Sequence, residues 1–417
     1  MNICPVTLPM MLDARERRQM IQNRLLEEFK LPLVCLTMNI AGDIKDTPAI
    51  SLAFSCGADA IRGSLGEPVH FETVEGATGR EAFFVYASDA AAIKSKAVRI
   101  EEASDTGRLF DIDVLGENGE KLSRGAARAC IVCGGPAAVC SRSRAHGLDQ
   151  IREATFSVLT EFAASYLADT ACRALYDEVH LTPKPGLVDE NNTGAHDDMD
   201  IAMFERSASA LHPYFKKAVC IGAEKAACFA GLHALGQAAE AAMFAETGGV
   251  NTHKGAIYSF LILLGAIGAS LHRGGDVFIR ASEIAKSDTR SRSIGTHGSR
   301  VFEKYGVPGA RGEAENGFPS ARRAYEIMKT RTAHEALLTL LSEAADTNVL
   351  HRGGKEALAF LQTESRRILE LSRDADQRVN ALLELDRECI KRSISPGGCA
   401  DMLAMALLLK KIDILLK

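Results

Sequence analysis

The chain has 417 residues, 47% hydrophobic and 25% charged, enough for two or three ordinary globular domains with sizeable cores. A formal net charge of −5 excludes a broad nucleic-acid surface, and the absence of Trp with only 6% aromatics argues against base-stacking platforms. Eleven scattered cysteines and no secretory leader at the N-terminus point to free thiols in a reducing cytoplasm. The longest apolar run, residues 256–271, is too short for a membrane span and reads as a buried core helix.

The first predicted element is a helix that carries Arg15, Arg18 and Gln22 at i, i+3 and i+7. Two guanidinium groups and an amide on one face form a comb suited to phosphates, although a solvated helix face has the same pattern. Residues 33–40 read as a buried strand ending at the break Ala41-Gly42-Asp43, and residues 81–86 and 98–102 as further strands. The stretch 107–114 alternates with strand period, so Asp111 and Asp113 share a face while Leu109, Phe110, Ile112 and Val114 pack around them. Two adjacent carboxylates on a rigid strand repel unless a cation stands between them. Mg²⁺ is the usual hard ion for that place, and a wet acidic edge is the other reading. Gly116 to Gly119 closes a hairpin.

Cys130-x-x-Cys133, Cys140 and His146 have the composition of a zinc set. The irregular spacing of the second pair, and apolar Ile131 and Val132 inside the first, fit buried free thiols better. Arg128, Arg142 and Arg144 beside them are candidate phosphate ligands.

From about residue 151 the strands give way to long Ala/Leu/Glu-rich stretches with helical period: 151–180, 203–220, 223–246, 252–271, 333–345, 355–371, 374–391 and 400–416. The division is therefore an α+β domain over 1–150 and an all-α domain over 151–417. Five polar loops join the helices. The first presents Lys184 between two prolines and runs through Asp189 into His196, Asp197, Asp198 and Asp200, a metal cluster or a set of helix caps. Gly248 to Gly255 brings Asn251, His253 and Lys254 to a helix start, the parts of an anion cradle, and Ser395 to Asp401 repeats that logic with Gly397 and Gly398. The remaining two carry Arg311 with Glu313, and Asp346 with Arg352. Five such loops are more than a bundle needs, and one shared pocket at a bundle end accounts for them.

Two resemblances follow. Arg15-Glu16-x-Arg18-x-x-x-Gln22, Asn39-Ile40-x-Gly42-x-x-Lys45, the 107–114 strand, Arg128-x-Cys130-x-x-Cys133 and Cys140-x-Arg142-x-Arg144-x-His146 resemble, over residues 8–150, the apo-citrate lyase phosphoribosyl-dephospho-CoA transferase family. The resemblance implies a nucleotidyltransferase-like domain in which a carrier-protein serine attacks the innermost phosphate of triphosphoribosyl-dephospho-CoA and pyrophosphate leaves. Asp111 and Asp113 would hold Mg²⁺, and Arg15, Arg18, Lys45 and Arg108 would neutralise the triphosphate. Asp43 departs from the family pattern, which has Pro there.

The five loops, among them Thr182-Pro183-Lys184-Pro185-Gly186-Leu187-Val188-Asp189, Gly249-Val250-Asn251-Thr252-His253-Lys254-Gly255 and Ser395-Pro396-Gly397-Gly398-x-Ala400-Asp401, resemble the triphosphoribosyl-dephospho-CoA synthase family over residues 155–417. That implies displacement of adenine from ATP by the ribose 2′-hydroxyl of dephospho-CoA, with the triphosphate kept. An oxocarbenium-like state needs carboxylates and a base. The candidates are Asp189, Asp198, Asp200, Glu240, Glu313, Asp346 and Asp401, with Lys184, Lys254, Arg311 and Arg352 on the triphosphate and Asp198 and Asp200 on a second divalent cation. The product of the second half is the substrate of the first. A single bifunctional enzyme results, whose partner is the acyl carrier (gamma) subunit of citrate lyase. The rival readings are the matching carrier of malonate decarboxylase, an N-ribosyl hydrolase and a zinc-stabilised docking scaffold.

Overall fold

A computed structural model describes residues 3–125, 127–224, 229–288, 297–371 and 375–416. Its contacts fall into two units, Met1–Ala163 with Leu271–Gly275, and Ala164–Ser270 with Asp276–Leu416.

The first unit runs α1 (Leu8–Phe29), β1 (Leu33–Met38), α2 (Pro48–Leu65), β2 (His70–Val74), β3 (Glu81–Val85), α3 (Ala90–Glu102), a 3₁₀ turn (Gly107–Leu109), β4 (Phe110–Leu115) and α4 (Ala137–Ser143), and reaches into α5 (Leu148–Val179). The strands form one antiparallel sheet in the order β2-β3-β1-β4. Strand alternation sorts its residues. Leu33, Cys35, Phe83, Val85 and Leu115 form a core with Leu25 of α1, flanked by Ile21, Leu26 and Phe29. The register sets Thr37 opposite Asp111 and Cys35 opposite Asp113, so the two acids continue the α1-facing side where its apolar part ends. Fully buried Ile112 and Val114 alternate with them, and α3 packs on β4.

One expected strand is corrected. Residues 98–102 are the last turn of α3, which starts at Asp89, whose carboxylate accepts the Ala92 N–H at 2.7 Å. Ile93 and Ala97 are buried at helical, not strand, spacing. The short apolar end alone had strand period, and the Ala-rich start decides.

In the second unit the described residues hold helices and no strand: α6 (Ile201–Ala223), α7 (Phe229–Thr247), α8 (Lys254–Ser270), α9 (Val277–Lys286), α10 (His297–Tyr305), α11 (Gly309–Glu315), α12 (Pro319–Met328), α13 (Ala333–Glu343), α14 (Thr347–Glu370), α15 (Ala375–Lys391) and α16 (Gly397–Lys411). The apolar run is α8, buried along nearly its whole length. Its glycines let α6 come close: a Cβ on Gly268 would lie 2.1 Å from the Val219 carbonyl, and one on Gly222 of α6 would lie 2.0 Å from the Gly265 carbonyl. No helix among the described residues is long and apolar enough to cross a membrane. The expected helix 355–371 is the second part of α14; Gly354, non-helical at φ +65°, separates it from a first part that starts at Thr347.

Candidate active sites

In the first unit the phosphate comb and the strand acids meet. Arg18 of α1 holds the Glu81 carboxylate through Nη2 at 2.5 Å and Nε at 3.1 Å. Gln22, buried, hydrogen-bonds the Cys35 thiol, whose burial pushes its pKa up to about 12. Asp111 accepts from Arg128 Nη2 at 2.9 Å, and Asp113 from Lys121 Nζ at 2.7 Å. Arg128 is held in turn by buried Glu101 at 2.5 Å. Glu101 also takes Arg124 at 2.9 Å and the Ile112 N–H at 2.9 Å, which ties this arginine cluster to β4. Burial pushes the Glu101 carboxyl up against those stabilising contacts.

The other expected phosphate ligands sit on flanking segments. Arg108 precedes β4 and donates to the Cys130 carbonyl at 2.7 Å. Lys45 follows β1 and bonds the Ile40 carbonyl at 2.5 Å. Arg15 is exposed. Asp43 lies 3.6 Å from Arg152. Glu81 was not anticipated. It is 2% exposed, and its Oε2 has no hydrogen-bond partner among the described residues. Strand period from Phe83 would have placed it on the acidic face.

The second unit's loops also meet, but around buried acids. Lys184, expected to present its ammonium to a ligand, is instead buried with Nζ 2.5 Å from Glu178 Oε1. Its N–H donates to Asp189, which also accepts from Asn191 and Asn192. Asp386 latches the same loop through the Gly186 N–H and Asn192 Nδ2, both at 2.8 Å. The two prolines that stiffen the loop let it be packed inward, where the ammonium needs a counter-charge.

Asp346 joins two helix starts. One oxygen accepts from Asn348 and Val349 at 2.8 and 3.2 Å, the other from Cys399 of α16 at 2.8 Å. Asp401, near the start of α16, accepts the Ala256 N–H of α8, and a Cβ on Gly255 would lie 2.0 Å from its Oδ2. Three helix N-termini therefore share two carboxylates, one buried and one half-buried. Burial, and for Asp401 the Glu178 and Asp346 charges, push both carboxyls above the usual range. His253, just before α8, has its Nδ1 2.7 Å from Ser207 Oγ; burial, then the Lys184 charge, hold its pKa down to about 3, so the ring is neutral. Gly398 leaves Asp346 room, and Gly397 does the same for Asn348.

The remaining candidates lie at this assembly's margin or elsewhere. Glu313 accepts from Ser320 N–H and Oγ at 3.1 and 2.7 Å. Lys254 pairs with Glu240 at 2.8 Å, and Asn251 caps the Lys254 N–H at 3.1 Å. Arg311 holds Glu315 at 2.8 Å, and Arg352 holds the Ala195 carbonyl at 3.0 Å. Of the acids read as a metal cluster or as helix caps, Asp200 caps α6 through the Met203 N–H at 2.8 Å, while Asp198 is largely exposed, 3.8 Å from His196. Glu178 and Asp386 were missed, because their partners are set by tertiary packing.

Strand-borne acids among arginines in one unit, and helix N-termini gathered around buried acids in the other, define a transferase of phosphorylated nucleotides with two centres. The family comparisons agree. Residues 164–416 match the model of the ATP:dephospho-CoA triphosphoribosyl transferases, and residues 6–162 that of the apo-citrate lyase phosphoribosyl-dephospho-CoA transferases. A Haemophilus influenzae relative, protein CitXG, is 34% identical over 96% of this chain and 95% of its own length. The CitXG protein of Leuconostoc mesenteroides subsp. cremoris is 30% identical over 98% and 97%. A Haemophilus ducreyi 2-(5″-triphosphoribosyl)-3′-dephosphocoenzyme-A synthase is 35% identical over 66% of this chain and 98% of its own. The chain belongs to the ATP:dephospho-CoA triphosphoribosyl transferase family, fused behind an apo-citrate lyase phosphoribosyl-dephospho-CoA transferase domain.

Proposed function

We propose a division of labour at a boundary near residue 150. The helical part, 151–417, uses ATP and 3′-dephospho-CoA to make triphosphoribosyl-dephospho-CoA and release adenine, and the nucleotidyltransferase-like part, 1–150, transfers phosphoribosyl-dephospho-CoA to a serine of an apo acyl carrier protein and releases pyrophosphate. The carrier is the gamma subunit of citrate lyase. Asp111 and Asp113 side by side among arginines carry the transferase reading.

In the transfer step Arg18 and Arg128 orient and neutralise the triphosphate, with Arg15, Lys45 and Arg108 on the flanking segments. The Asp111 and Asp113 oxygens, partly exposed and balanced here by Arg128 and Lys121, suit a hard divalent cation, as does the unpartnered Glu81 oxygen nearby. Mg²⁺ held there would neutralise charge on the reacting phosphate and the leaving pyrophosphate. In the synthase step the starts of α8 and α16, with Asn251, His253, Lys254, Gly397 and Gly398, receive the ATP phosphates, and Arg311, Arg352 and Glu240 border the site. Asp189 and Asp346 are engaged by backbone N–H groups and hold the loops in place. Asp401 accepts the Ala256 N–H and ties the start of α16 to the start of α8.

Incubating the full chain with ATP, dephospho-CoA, Mg²⁺ and apo carrier should raise the carrier's mass by one phosphoribosyl-dephospho-CoA, with adenine released in equal amount. Adenine release from ATP without dephospho-CoA would instead make the helical part a hydrolase, and an unmodified carrier would reject the transfer step.

A further inference from the structure

The segment after β4 stays in place without a core. Between Ser123 and Gly147 only Cys130 is buried among the described residues, and α4 buries none of its side chains. Yet this segment delivers Arg128 to Asp111 and supplies the carbonyl that holds Arg108. A stretch with so little apolar burial needs another staple.

The four groups that the free-thiol reading kept apart are together. One ligand atom from each of Cys130, Cys133, Cys140 and His146 lies within 4.8 Å of every other. Cys133 Sγ is 3.5 Å from Cys140 Sγ and 3.3 Å from His146 Nε2. Tetrahedral zinc with ordinary bond lengths gives S–S and S–N edges of about 3.8 and about 3.6 Å, close to these spacings. The free-thiol expectation also required burial, and Cys133 is exposed.

The backbone is shaped for an ion as well. Cys130 N–H donates to the Gly135 carbonyl at 2.6 Å and Gly134 N–H to the Cys130 carbonyl at 2.9 Å, closing a tight loop with Gly134 at φ +74°. Within it the N–H groups of Val132 and Cys133 point at the Cys130 sulfur. Cys140 comes from α4, and Arg144, left-handed at φ +50°, turns the chain so that His146 returns to the sulfurs.

We propose that Cys130, Cys133, Cys140 and His146 bind one structural zinc ion. Three thiolates and one imidazole complete a closed tetrahedral shell, so no position is left for substrate and the ion does no chemistry. The four donors crowd around one point, which suits a single ion rather than a multi-iron cluster. Its effect on the transfer step, which rests on the reading above, is to hold Arg128 on Asp111; the zinc site stands without that reading.

The test uses the full chain, purified under reducing conditions without chelator from cells supplied with zinc. Elemental analysis should find about one zinc per chain. Cobalt(II) reconstitution should give a thiolate charge-transfer band with the d–d bands of a tetrahedral site. Cys133→Ser and Cys140→Ser should each lose the ion, while Cys56→Ser keeps it. Loss should slow carrier modification by roughly 10–100-fold with adenine release unchanged. Wild-type protein with less than a tenth of an equivalent, a disulfide among these cysteines in place of metal, or zinc retained in both serine variants would overturn the site. If zinc binds and leaves with the variants while carrier modification is unaffected, the site stands and its role in holding Arg128 is overturned.

Discussion

The two units use carboxylates in opposite ways. Asp111 and Asp113 are partly open to solvent and face Arg128 and Lys121, side chains that a ligand or ion can displace. Asp346 is buried and Asp401 half-buried, and both are bound to backbone N–H groups at helix starts that cannot swing aside. Identical chemical groups are thus ready to exchange partners in one place and fixed as structure in the other. The difference lies in burial and partner type. Substitutions should therefore lose activity in the first unit and stability in the second.

The largest effect should come from Lys184→Ala, which strands the buried Glu178 carboxylate. Breaking such a pair costs about 3–5 kcal/mol, seen as a fall in urea resistance and faster hydrogen exchange over residues 178–189. The double variant Glu178→Gln with Lys184→Met should recover part of the loss. If the double variant is as unstable as the single one, Lys184 is important for some reason other than this pair.

Asp111→Asn should act the other way. Carrier modification should slow by about 10²–10³-fold, the melting temperature should hardly move, and triphosphoribosyl-dephospho-CoA should accumulate because adenine release continues. A variant that melts early would erase the contrast between the units. Asp346→Ala comes next, at about 1–3 kcal/mol, since it strips a cap from α14 and an acceptor from α16 at once. Asp346→Asn should keep part of that stability. Equal losses in the two variants would mean that the capping contacts contribute little.

The legible features were those that period and local chemistry decide. Strand alternation placed Asp111 and Asp113 on one face, and i, i+3, i+7 spacing put Arg18 and Gln22 where they meet the sheet. The capping residues Thr47, Asp89 and Asp276 each stand where their helices start, yet α2 and α9 escaped notice because their apolar periods are short. What could not be read was burial. Lys184 between prolines has the look of an offered cation whether the loop faces water or the core, and only tertiary packing decides. For the same reason Glu178, more than 200 residues from Asp401 in sequence, gave no sign of belonging with it. Spacing also hid that residues 130, 133, 140 and 146 meet: the turn that brings His146 back depends on one left-handed arginine, which no residue pattern marks.

The smallest effect is a pH dependence that separates two groups of the second unit at the start of α8. His253 has its pKa lowered from 6.5 to about 3, so its stabilising share is complete above pH 6.5 and is lost as pH falls toward 3. Asp401 is shifted the other way, above 3.8; its share is present below 3.8 and lost as pH rises through its folded value. Between those limits the two slopes oppose, and the wild-type curve is flatter than either. For the histidine alone the change between pH 7 and pH 5.5 is about 1 kcal/mol. His253→Gln should therefore lose less stability than wild type on acidification over that interval, and Asp401→Asn less on raising the pH from 4 to 7. Urea unfolding of the full chain, with hydrogen exchange followed at residues 252–258, resolves the two. Variant and wild-type curves that stay parallel would show that both groups titrate normally, and the dry assembly of helix starts would then be open to water.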